Sequence, residues 1–109
     1  MLVPDNGGMS GLSMKIVLSD KASQDLLRFY AYFAEKNPQV AETILLTIDA
    51  KLQHLTRFPF LGRERSSLLI GLRGLVVGEQ VIFYTASSDT ITIIRVIDSR
   101  MDVDAEFQR

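Results

Sequence analysis

The hydrophobic pattern of the chain changes period as it is read from the N-terminus. Met14 to Ser19 (MKIVLS) is a short apolar run that predicts a strand. From Asp20 the spacing lengthens. Ala22, Leu26, Phe29, Tyr30 and Phe33 recur at helical intervals and predict a helix over residues 20–36, with Asp20 as its N-cap. Asn37-Pro38 ends this helix and opens the next, because proline disfavours helix in the residue before it yet fits a first helical turn. Ala41, Ile44, Leu45, Ile48, Leu52 and Leu55 form a second stripe over residues 38–57, stopped by Phe58-Pro59. Two helices joined this closely make an antiparallel hairpin with one apolar side.

Beyond Leu72 the pattern shifts to strands. Runs of β-branched and aromatic residues at 72–77 and 80–86 flank Gly78-Glu79, and a glycine leading a two-residue loop predicts a tight hairpin of the type II′ kind. The loop fixes the partners: Val77 opposite Gln80, Val76 opposite Val81, Leu75 opposite Ile82, Gly74 opposite Phe83 and Arg73 opposite Tyr84. One face then carries Leu72, Gly74, Val76, Val81, Phe83 and Thr85, the other Arg73, Leu75, Val77, Gln80, Ile82 and Tyr84. The first reads as the core face, shared with Phe29, Phe33, Ile44, Ile48 and Leu52 of the helices. Residues 91–97 (ITIIRVI) predict a third antiparallel strand. Its register depends on Ser87-Ser88-Asp89: a two-residue loop sends Arg95 to the side of Arg73 and Tyr84, a three-residue loop sends it to the core side.

Between these elements the sequence is less specific. Residues 1–13, with three glycines and a proline and no period, read as a disordered leader, with Met14 as an alternative start. Phe60 to Ile70 reads as a connector whose Arg63-Glu64-Arg65 cluster is either a binding loop or a solvated charge run, and Val103 to Arg109 reads as a weakly specified tail. At 109 residues and 47% hydrophobic content the chain is a single domain, residues 14–109, able to bury a core. It has no cysteine, which removes disulfides and thiolate zinc sites, and its single histidine, His54, beside the second stripe, reads as a rim residue. No metal or cofactor is implied. With neither an apolar run of membrane-spanning length nor a secretion signal, a cytoplasmic location is the default expectation. A net charge of −1 argues against coating nucleic acid by bulk charge. From Arg57 onward, however, every basic residue is arginine, whose planar fork suits carboxylate and phosphate partners.

Wording and order together carry a resemblance. Phe58-Pro59 with Gly62-Arg63, then Gly71-Leu72-Arg73 followed by Leu75-Val76-Val77-Gly78, Val81-Ile82-Phe83-Tyr84, and Ile94-Arg95-Val96-Ile97 ahead of Arg100, closely resemble the ParE branch of the RelE/ParE toxin superfamily. The resemblance spans about Met14 to Asp102. It implies a two-layer α/β (α+β) fold with an N-terminal strand and an αα-hairpin on an antiparallel sheet. It also implies a plasmid-stabilisation type of toxin, held in a hetero-oligomer by a ParD-like antitoxin. The ParE branch is associated with poisoning DNA gyrase and the RelE branch with cutting mRNA on the ribosome. Members of the ParE type often carry histidine where this chain has Asp98 and an aromatic residue where it has Gln80, departures that recommend a third reading, a non-toxic relative that folds and binds antitoxin.

Each mode makes demands on particular residues. RNA cleavage by 2′-hydroxyl attack needs a base, an acid for the leaving oxygen and cations for the phosphate. Asp98, Tyr84 and the arginines Arg73, Arg95 and Arg100 are the candidates for those roles. No His or Lys lies in the second half, and Phe107 stands where RelE-like nucleases tend to offer Tyr or His, so the set is poor in proton carriers. Inhibition by binding needs no titrating group, and Arg73, Arg95 and Arg100 are then expected to contact the target. On the sheet face opposite the expected core, Leu75, Val77 and Ile82 with Arg73 and Arg95 form the expected antitoxin surface.

Overall fold

The computed structural model describes residues 14–108, and the expected leader lies outside the described residues. The elements are β1 (Lys15–Leu18), α1 (Asp20–Lys36), α2 (Pro38–Arg57), β2 (Arg63–Glu64), β3 (Arg73–Val77), β4 (Gln80–Ala86), β5 (Thr90–Asp98) and α3 (Val103–Phe107). They form a five-stranded sheet in the order β1-β5-β4-β3-β2, with the α1–α2 hairpin packed on it. The three strands expected after Leu72 are antiparallel, and the short β2 within the expected connector adds a fourth, but β1 runs parallel to β5, so the sheet is mixed. β1 reaches that position because the helical hairpin returns the chain across the sheet before β2 begins.

Local chemistry accounts for the helix ends. The α1 cap is Ser19, one residue before the expected Asp20; its Oγ accepts from Ala22 N at 3.0 Å and donates to Ile94 O at 2.7 Å, so the cap also pins the helix to β5. Asn37 closes α1 through its N–H to Phe33 O, and its side chain accepts from Gln39 N and Val40 N to start α2, with Pro38 at the first helical position. One asparagine therefore serves both helices, which keeps the link one residue long. His54 lies exposed in the last turn of α2, its ring edge-on to Phe58.

The β3–β4 hairpin has the expected register throughout, and Gly78 sits at φ 62°, the left-handed backbone that favours glycine. The expected face assignment is reversed. Val77, Ile82 and Tyr84 lie under the helices with Ala22, Ile48, Leu52 and Leu55, and Leu75 packs against the same cluster. Leu72, Phe83 and Ile97 form a second, smaller core on the other face, closed by Leu68, Val103 and Phe107, while Val76 is 65% exposed. Phe29, Ile44, Ile48 and Leu52 thus share no core with Val81 and Phe83. The face that looked polar is the buried one because its polar atoms sit at its ends: Tyr84 and Arg73 meet the 59–62 connector, and Gln80 is buried beside Gly78.

β5 resolves the loop question in an unexpected way. Ala86 faces Ile91, so Ser88-Asp89 is a two-residue tip, but a bulge at Ile94 shifts the register by one and sets Arg95 opposite Phe83. Ile91, Ile93 and Val96 can then all face the helices despite their mismatched parity.

These two cores separate residues the alternation alone had joined. Phe83→Ala, at a fully buried position, is expected to cost about 3–5 kcal/mol, whereas Val76→Ala on the same face is expected to stay within about 0.5 kcal/mol. Denaturant melts of both variants check the difference.

Candidate functional site

The residues expected to act together are held apart, each by its own partners. Arg95 is 8% exposed and spans three elements. Its Nε and Nη2 donate to the two oxygens of Asp25 on α1 at 2.8 and 2.9 Å, and Nη2 also reaches Glu106 Oε1 on α3 at 3.2 Å. Asp25 Oδ2 accepts in addition from Val96 N at 2.9 Å. The hydrogen bonds that Arg95 donates to Asp25 are the main cause that raises the already high pKa of the guanidinium, against the effect of burial and with help from the Asp25 charge and from Glu106. Arg95 is therefore a structural cation rather than the surface arginine expected to meet antitoxin or target.

Tyr84 is fully buried, and its hydroxyl donates to Pro59 O and accepts from Gly62 N, both at 2.8 Å. Burial raises its pKa, against smaller opposing effects from the Gly62 hydrogen bond and the Arg73 charge. Arg73 donates to Gly62 O at 2.8 Å and lies over the Phe60 ring at 4.9 Å. A Cβ at Gly62 would stand 2.7 Å from the Tyr84 ring and 3.0 Å from Gly74 O, so the Gly62-Arg63 of the sequence motif marks a close approach. Through these contacts Tyr84 and Arg73 together bolt the α2–β2 connector to the sheet.

Asp98 and Arg100 form an exposed pair at the end of β5. Arg100 donates through Nε, Nη2 and its own N–H to the Asp98 carboxylate at 2.9, 2.6 and 2.8 Å, and lies 3.4 Å from Glu79. The side-chain hydrogen bond from Arg100 is the main cause that holds Asp98 down to about 2, and Asp98 in turn raises Arg100. A carboxylate so firmly ionised and doubly bonded is a weak proton acceptor.

Leu75, Val77 and Ile82, expected as an exposed antitoxin surface, lie beneath the helical hairpin, Ile82 fully buried and Val77 nearly so. Open apolar surface is found elsewhere. Between α1 and the end of β5 a groove of about 380 Å³ is lined by Arg28, Phe29, Tyr32, Phe33, Asp98 and Arg100, among others. A recess of about 340 Å³ between the helices and the β3–β4 turn shares Phe29, Phe33 and Gln80 with it. Sequence reading missed this groove because Phe29 and Phe33 count equally well as core. Tyr32, 57% exposed and edge-on to Phe33 at 5.0 Å, was the available signal, being an aromatic residue off the main stripe. Among the described residues no group of three or more His, Asp or Glu could hold a metal ion, and no helix is long and apolar enough to cross a membrane.

Against known proteins, the family model described as "ParE toxin of type II toxin-antitoxin system, parDE" matches residues 16–103. The chain is 32% identical over 93 residues to Toxin ParE3 of Caulobacter vibrioides, covering 84% of this chain and 93% of that one. Its fold is similar to a structure of the chromosomal ParDE toxin–antitoxin system from P. aeruginosa, with a TM-score of 0.67 at 22% identity over 82% of this chain and 98% of that one. It is also similar to a chain of the RelBE2 toxin–antitoxin complex from Mycobacterium tuberculosis, with a TM-score of 0.59 at 18% identity over 79% and 98%. The fold and the matched segment define a toxin of the RelE/ParE superfamily. Within that superfamily the chain belongs to the ParE toxin family of type II toxin–antitoxin systems.

Two measurements check the roles assigned here. Arg95→Met is expected to cost about 3–5 kcal/mol, since it removes the buried guanidinium that bonds both Asp25 and Glu106, and Tyr84→Phe about 1–3 kcal/mol. For Asp98 the folded pKa lies below the unfolded value of about 3.9, so its contribution is present above that pH and is lost as pH falls towards 2. NMR titration of the carboxyl should find the low midpoint in the parent chain and a normal one in Arg100→Ala.

Proposed function

We propose that this toxin acts by binding DNA gyrase and blocking supercoiling, and that its antitoxin binds in the groove between α1 and β5. The observation that carries the reading is the fate of the acid–base candidates. Tyr84 is buried with both hydrogen-bonding roles of its hydroxyl in use, Arg95 is committed to Asp25 and Glu106, and Asp98 is held ionised by Arg100. Ribosome-dependent RNA cleavage would need one of these to move a proton or meet a phosphate, and each would have to give up its partners first.

The chemistry of the groove supports this choice of antitoxin surface. The groove offers Phe29, Tyr32 and Phe33 for apolar contact and Arg28 and Arg100 for carboxylates, and both arginine side chains are largely exposed. An amphipathic, acidic segment satisfies both at once. The two toxin–antitoxin structures of similar fold support a partner of this kind.

Purified toxin is expected to inhibit supercoiling by gyrase in a reaction without RNA, and Asp98→Asn to inhibit as well as the parent. Codon-specific mRNA cuts on ribosomes, abolished by Asp98→Asn and with supercoiling untouched, would sink the proposal. Chain purified with its native operon should carry a second short chain, and Tyr32→Ala with Arg100→Ala should weaken that association by about tenfold or more.

A further inference from the structure

The α2–β2 connector presents apolar side chains from a rigid frame. Phe58, Phe60 and Leu61 are 54%, 70% and 46% exposed, although the backbone that carries them is hydrogen-bonded to side chains of the sheet at Pro59 and Gly62. Tyr84 grips it from below at Pro59 and Gly62, Arg73 grips it from the side at Gly62 and lies over the Phe60 ring, and Gly62 leaves no room for a side chain. Apolar side chains that merely lacked a core would sit on a loose loop. Here their orientation is fixed before any partner arrives, which lowers the ordering cost of binding.

The charge around them is one-sided. Between residues 57 and 73 stand Arg57, Arg63, Arg65 and Arg73 against the single carboxylate Glu64, a balance of 4 − 1 = +3 in a chain whose net charge is −1. Exposed aromatics in an arginine-rich segment without lysine, one of them under Arg73, have the composition of an interface centre rather than of ordinary surface.

We infer that this connector, centred on Phe60 and Leu61, flanked in sequence by Arg57 and Arg63 and with Arg73 over the Phe60 ring, is the surface with which the toxin docks on an acidic, apolar-bearing patch of its target protein. The inference rests on the reading that the toxin acts by binding. It is separate from the proposed antitoxin groove: Gln80 lines that groove and Tyr84 underlies the connector, four residues along β4, or roughly 13 Å. Target and antitoxin thus use different ends of the sheet.

The test compares the parent chain with Phe60→Ala/Leu61→Ala and with Arg63→Glu, all changes at exposed positions. Three readouts are taken: growth arrest on induction without antitoxin, affinity for the antitoxin from the native operon, and inhibition of supercoiling by purified gyrase. The expected result is a loss of growth arrest and a fall of about tenfold or more in inhibition, with melting temperature and antitoxin affinity nearly unchanged. Variants as toxic as the parent overturn the inference and leave the gyrase reading standing. Loss of antitoxin affinity in parallel with toxicity assigns the surface to the antitoxin and overturns it as well. A parent chain that arrests growth without touching supercoiling removes gyrase as the target, and growth arrest in the variants then decides the docking surface alone. A parent chain that arrests nothing removes both.

Discussion

The guanidinium of Arg95 is the point on which the structure depends. β1 accompanies β5 only as far as Ile93, because the chain leaves the sheet at Ser19 to enter α1, and the edge beyond would be left with unpaired backbone groups. Asp25 supplies the missing partner for Val96 N, but a buried carboxylate needs its own compensation, which Arg95 provides. Glu106 places a second carboxylate on the same guanidinium and thereby fastens α3 over the second core, where the Phe107 ring lies edge-on to Phe83 at 5.1 Å. The bulge at Ile94 belongs to the same arrangement, since a strand of unbroken parity could not put Arg95 opposite Phe83 and also aim both Ile93 and Val96 at the helices.

Much of this was legible in the sequence where the signal is local. The helical stripes fixed α1 and α2 to the residue, and Gly78-Glu79 set the β3–β4 register, because both depend on near neighbours. The choice of buried face was not legible. Both faces of this sheet are covered, one by helices and one by a loop and α3, so counting apolar residues on each cannot rank them. Nothing in ITIIRVI announces the bulge either. One clue was present: Asp25 falls within the Ala22–Leu26–Phe29 stripe, and a carboxylate on a buried stripe calls for a cation that only a distant strand could deliver.

The candidate site shows the same division. Motif wording led to Arg73, Tyr84, Arg95 and Asp98, and all four are bonded within the protein, three of them to residues that no local pattern connects with them. What the motifs preserve is architecture: a bolted connector, a capped strand edge and a paired strand end. The surface left over by these internal contacts is apolar and rich in arginine, and of the residues that resembled a catalytic set Arg95, Asp98 and Arg100 line its groove between α1 and β5.

The parallel pairing of β1 with β5 has a bearing on when the protein comes into being. The strand synthesised first adheres to the strand synthesised nearly last, with Ser19 hydrogen-bonded to Ile94 across 75 positions of sequence. Contacts so distant close late and slowly in folding. On the ribosome β1 and Asp25 have nothing to hold until the final strand has cleared the exit tunnel. Translation itself therefore acts as a timer, and any partner that recognises the finished surface meets it only after β5 has emerged.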